Sequence, residues 1–236
     1  MTEVAPQRRL PRKKRQESIL AAAVTLFGER SFEGVGMRDL AAACEVSATA
    51  IYRHFPNKDA VLIELYDMIG DQIVKAMRSA SRAGSPPEVL ASLIHSHVKL
   101  VLENPRWIPI YQREMSSLPP AELERITAAQ QAYINVWTES LLAIQPKLSR
   151  DVAHTTAVAA LAAINSAALG QCRLKGRAAE KVLTQIAERC LGLGAEAHRD
   201  DSARTRARRV SSHNVSLKSS VASPTAPARA KAKPVS

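Results

Sequence analysis

Aromatic side chains make up only 4% of this 236-residue chain, and it has 9 glycines and 3 cysteines. Few aromatics and few turn residues argue against a β-sandwich or barrel, which needs both. The cysteines, Cys44, Cys172 and Cys190, are odd in number, far apart and without CxxC or Cys/His spacing. That excludes a disulfide framework and a zinc site, and it fits a reduced, cytoplasmic setting. No nucleotide-binding glycine loop, paired-carboxylate arrangement or Ser/His/Asp constellation is visible, so no catalytic residue and no cofactor are expected. The basic RRLPRKKR followed by ILAAAVTLFG imitates a secretory signal. Its apolar run is too short to span a bilayer and is bracketed by Glu17 and Glu29. No membrane partner is expected.

What is abundant is helix-forming apolar residue: 46% of the chain is hydrophobic, much of it Ala and Leu. An all-α fold is therefore expected. The formal charge is +11, but it is unevenly placed. Residues 1–16 carry a net +5 and residues 199–236 a net +7, leaving 17–198 at −1. The two basic ends suit a polyanion without specifying which one.

Periodicity and punctuation divide the chain into helices. Ile19, Leu20, Ala23, Leu26 and Phe27 share one helical face within about Arg12–Arg30. Shorter helices are expected at about Met37–Cys44 and Ala48–Phe55, separated by a tight turn at Glu45–Ser47. Pro56 stops the second, and Asn57 caps a helix reaching about Arg82. Beyond the Gly84–Pro87 break, helices are expected at Glu88–Glu103, Pro105–Ser116, Ala121–Ile144, Asp151–Lys175 and Ala178–His198. From Arg199 the composition lacks aromatics and large apolar residues, which predicts a disordered basic tail matching a basic arm at residues 1–11.

Two short helices across a three-residue turn form a helix-turn-helix, which presents its second helix to a DNA major groove. Leu40, Ala41, Val46, Ile51 and Phe55 have the spacing to pack inward, and Ser47 can cap the second helix. Ala48, Thr49, Arg53 and in part Tyr52 and His54 are then outward. Tyr52 could instead pack between helices, and Arg53 could be a solvated charge.

The stretch ILAAAVTLFGERSFEGVGMRDLAAACEVSATAIYRHFPNKDAVL resembles the DNA-binding domain of the TetR/AcrR family of bacterial regulators, most specifically in YRHFPNKDAVL. The resemblance implies that Ser47, Thr49, Tyr52 and His54 face DNA, largely its phosphates. It also implies that Lys58 adds charge at a helix N-terminus and that Arg38 is a further contact. Ser31 and Glu45 stand where the family often has Gly, and Gly36 where it often has Ser or Thr.

The domains implied are a helix-turn-helix head at 12–66 and a helical domain at 67–198 for effector binding and dimerisation. The small-residue stretch Ala153–Ala168, with Val182, Ile186, Leu191 and Leu193, suits a homodimer interface or an internal helix. Trp107, Tyr111, Met115, Tyr133, Trp137 and Asn165 are candidates for an effector pocket, although core packing explains aromatics equally well. Arg113–Glu114, His95 and His97 are polar candidates read more simply as solvated or internally paired. The function implied is a dimeric repressor on a palindromic double-stranded operator, released by a small hydrophobic effector. The competing reading is a nucleoid-type architectural protein acting through its basic ends.

Overall fold

The computed structural model of the chain describes residues 11–170 and 172–193; the basic arm up to residue 10, the tail and the segment 194–198 lie outside them. All regular structure among the described residues is helical.

Helix α1 (Arg12–Arg30) buries Ile19, Leu20, Ala23, Val24 and Phe27 along one face. It ends at Ser31, whose φ of 62° is left-handed. The Ser31 N–H donates to Phe27 O at 3.0 Å. Gly34 follows because a Cβ there would lie 2.4 Å from the Arg30 carbonyl oxygen. Helix α2 (Met37–Ala43) starts without a hydroxyl cap. Asp39 compensates by accepting from the Gly36 N–H at 2.8 Å.

The turn after α2 is a Schellman motif: Val46 N–H donates to Ala41 O at 3.0 Å and Glu45 N–H to Ala42 O at 3.1 Å. Its left-handed position is Glu45, φ 54°, where glycine is the usual occupant. Helix α3 (Ala48–Tyr52) is capped by Ser47, whose Oγ accepts from Ala50 N–H at 3.1 Å. It is shorter than the expected Ala48–Phe55, because Pro56 disfavours helical backbone at Phe55 and the end loosens into turns. Helix α4 (Lys58–Ala80) is capped by Asn57, which accepts from Ala60 N–H at 2.8 Å.

The remaining helices are α5 (Pro86–Glu103), α6 (Trp107–Arg113), α7 (Pro120–Ile144), α8 (Arg150–Asn165) and α9 (Gly176–Cys190). Helix α5 begins two residues earlier than expected, since proline is at home in a first helical turn. The expected Pro105–Ser116 helix is divided into α6 and a 3₁₀ turn at Met115–Ser117. The expected Asp151–Lys175 helix stops at Asn165, followed by a 3₁₀ turn, Ser166–Leu169. Gly170, at φ 76°, then turns the chain.

Helix α5 is central, touching α4, α7, α8 and α9. Around it Leu93, Ile94, Val98, Trp137, Leu141 and Ile164 are fully buried. A second core, built on Phe27, Leu40, Ile51, Leu62 and Leu65, joins α1 to α4 and continues into Ile110, Leu118 and Ile126. The helix-turn-helix head thus shares its core with α6 and α7.

Candidate DNA-binding surface and effector cavity

Helix α3 buries Ile51 and leaves Ser47, Ala48, Thr49, Tyr52 and Arg53 exposed. Tyr52 is 52% exposed, so its ring is not packed between helices. Arg38 is exposed on α2. His54 is half-buried, and its Nδ1 has no hydrogen-bond partner among the described residues. Its pKa is lowered by burial, then by the Arg12 and Arg15 guanidinium groups of α1. The charge beside the neutral His54 ring is thus that of Arg12 and Arg15, which the sequence alone places only in a nonspecific basic stretch. Lys58 is half-buried at the start of α4. Its ammonium donates to Phe32 O at 2.8 Å and lies 4.1 Å from the centre of the Phe32 ring, which leaves two of its three hydrogens for other acceptors.

Helix α6 ties this head to the remaining helices. Arg113 donates through Nη2 to Phe27 O, the carbonyl that also receives the Ser31 N–H. Its Nε donates to the buried Glu114 carboxylate at 2.6 Å. Two residues back, Tyr111 O accepts from Tyr66 Oη of α4 at 2.7 Å. Burial, with Tyr111 and Glu114 nearby, pushes the Tyr66 phenol pKa up, so it stays a donor.

Beside α6 lies a cavity of about 210 Å³ lined from α4, α5, α6, α7 and α8. Of the six pocket candidates, Tyr111, Tyr133 and Asn165 line it. The other three are elsewhere. Trp107, at the start of α6, and Met115, just past its end, pack against the head core. Trp137 is fully buried behind Tyr133, their ring centres 6.0 Å apart. Its Nε1 makes no hydrogen bond of good geometry, although it lies toward the Tyr133 hydroxyl.

The polar centre of the cavity is His97. Its Nε2 is 3.1 Å from Asn165 Oδ1 and its Nδ1 3.4 Å from Tyr133 Oη. Burial pushes the His97 pKa down to about 4, against the Asn165 hydrogen bond, so the ring is neutral at physiological pH. Ile69, Ile73, Leu100, Gln112, Gln130 and Val158 are among the wall residues that sequence reasoning missed. Pairing accounts for the other polar candidates: Arg113 with Glu114, and His95 with Glu180 at 3.3 Å. An open groove of about 370 Å³ between α4 and α5 shares Ile73, His97, Leu100 and Tyr133 with the cavity. No cluster of metal-ligating side chains occurs among the described residues.

An exposed, Ser47-capped second helix of a helix-turn-helix, whose core continues into α6 and α7 of a helical body, defines a class of DNA-binding regulator. Two family models match, "Bacterial regulatory proteins, tetR family" over residues 19–65 and "Tetracyclin repressor-like, C-terminal domain" over 83–169, together more than half the chain. The chain belongs to the TetR family of transcriptional regulators, which are not enzymes. The transcriptional repressor Rv3405c of Mycobacterium tuberculosis is 26% identical over 155 residues, 65% of this chain and 72% of that protein. Among solved structures, the ketosteroid transcriptional regulator KstR2 of Mycobacterium tuberculosis superposes with a TM-score of 0.66 at 21% identity, covering 80% of this chain and 97% of its own. AibR, solved with isovaleryl coenzyme A and operator DNA, has a TM-score of 0.61 at 22% identity, covering 76% and 97%. At these identities the two structures speak to the fold alone.

Proposed function

We propose that the chain is a dimeric repressor whose α3 reads a palindromic operator and which a small molecule in the α4–α8 cavity releases from DNA. In this reading residues 12–66 act as the head, 67–198 as the effector and dimer domain, and the basic ends 1–11 and 199–236 as nonspecific tethers working in the cytoplasm. The observation that carries it is the position of α6. Tyr111 and Gln112 line the cavity, and Arg113, next in sequence, holds the end of α1. A ligand that displaces α6, or α4 through Ile69 and Ile73, changes the spacing of the recognition helices and shifts the population away from the DNA-bound form.

Dimerisation rests on the outer faces of α8 and α9, where Val152, Val158, Val182 and Ile186 are exposed. Apolar faces of that kind mark interfaces. The stretch Arg150–Leu169 is also long and apolar enough to cross a membrane. Its inner face, Ala153, Ala157, Ala160, Leu161 and Ile164, is buried within this helical body, which favours a paired copy over lipid. A two-fold axis there would place both heads on successive major grooves about 34–36 Å apart.

The test is selection of bound fragments from genomic DNA, with and without the basic ends. A single enriched palindrome that survives their removal is expected. Thr49→Ala and Tyr52→Ala should each weaken operator binding about tenfold or more while the dimer persists. Enrichment of no motif, with binding lost alongside the basic ends, would replace this reading with the architectural one.

A further inference from the structure

We infer that the effector is an uncharged, compact, largely apolar molecule bearing a carbonyl-type hydrogen-bond acceptor that docks on the Asn165 amide. The inference rests on the cavity being the effector site.

Hydrogen-bond bookkeeping inside the cavity gives the polar half of the argument. Asn165 Oδ1, which has no hydrogen, faces His97 Nε2 at 3.1 Å, so Nε2 carries the ring proton. His97 Nδ1 is then a lone pair and accepts from the Tyr133 hydroxyl at 3.4 Å. Both ring nitrogens, the amide oxygen and the phenol proton are thereby used. Asn165 lines the cavity and is half-buried, and its Nδ2 makes no hydrogen bond to another described residue, so those hydrogens face the cavity's solvent. A ligand meets two free donors, which call for a C=O or an equivalent acceptor.

Charge and size supply the other half. The cavity lining includes no Lys, Arg, Asp or Glu among the described residues. A carboxylate placed there would be stripped of water with no cation beside it. The groove outside does hold Lys75 and Lys99, reached past Ile73 and Leu100. Glu103 lines the same groove and already pairs with Lys99 at 3.8 Å, which opposes a polyanionic head group there. The cavity measures about 210 Å³. It lies below the roughly 300–1,000 Å³ of sites for drug-sized ligands.

The experiment uses the full chain carrying Trp107→Phe, which leaves Trp137 as its one tryptophan and a fluorescent reporter behind Tyr133. Probes are methyl ketones of about six to ten carbons, sized to the cavity, the hydrocarbons and carboxylates of equal length, and isovaleryl coenzyme A. Saturable ketone binding is expected, with every other probe about tenfold weaker or worse, and Asn165→Leu should lose about tenfold in ketone affinity. A thermal unfolding curve run beside each variant separates a lost contact from a lost fold. Carboxylate or thioester binding at least as tight as ketone, hydrocarbon binding equal to it, full ketone affinity in folded Asn165→Leu, or no ketone binding at all each overturns the inference. Operator release is recorded separately. Ketone binding without release would uphold the ligand class and count against ligand-controlled repression, whereas release by a carboxylate or thioester would do the reverse.

Discussion

His97, buried at the centre of the cavity, carries a large downward shift of its pKa. Its folded pKa of about 4 lies below the ordinary value of 6.5, so the unfolded chain takes up a proton that the native ring refuses. The stability held by the neutral ring is complete above about pH 6.5 and is lost progressively as pH falls toward about 4. At about 1.4 kcal/mol per unit, the loss amounts to about 3 kcal/mol. Denaturant unfolding across that window should show a steeper decline for the native sequence than for His97→Gln; equal slopes would refute the neutral buried ring. Ser31 offers a second residue-scale test, because its φ of 62° with ψ of 168° belongs to a region that only glycine occupies freely. Ser31→Gly should raise stability by about 1 kcal/mol, or roughly 2–4 °C in melting temperature. A lower melting temperature would show that the serine makes contacts worth more than its strain.

Among the elements, α6 is the shortest of the body helices and packs on α1. Removing its anchor by Arg113→Ala frees the Phe27 carbonyl of one donor and leaves the buried Glu114 carboxylate unpaired, a cost of about 1–3 kcal/mol. In a titration of effector against operator-bound protein, this variant should bind ligand normally but release DNA over a broader or shifted range. Unchanged release would move the coupling to α4. The head's elements were legible in the sequence because their determinants are local. Apolar spacing and the flanking residues gave α1 as Arg12–Arg30, and Pro56–Asn57 gave the start of α4. The cavity was only half legible. His97 and Asn165 meet across 68 residues of sequence, a pairing that periodicity does not encode. Tyr133 and Trp137, one turn apart on α7, look equivalent in a helical wheel, yet one lines the cavity and the other backs it. The end of α8 was misjudged because alanines continue past Asn165, and helix propensity alone does not report the turn at Gly170.

At the scale of the whole molecule, the dimer proposed above would cover the exposed apolar residues of α8 and α9 with the same residues of a second copy. Ile186→Glu should give a monomer in sedimentation, with operator affinity reduced because each head then binds alone. A persisting dimer would place the interface elsewhere. The common core of the first four helices with Ile110, Leu118 and Ile126 has a consequence for engineering. A chimeric regulator spliced at residue 66 would cut through α4 and strip Leu65 and Tyr66 of their neighbours from α6. The portable unit for exchanging operator specificity is therefore the first four helices together with α6. In the coupling proposed above, grafts that carry α3 without α6 would transfer the reading surface and leave behind the hand that moves it.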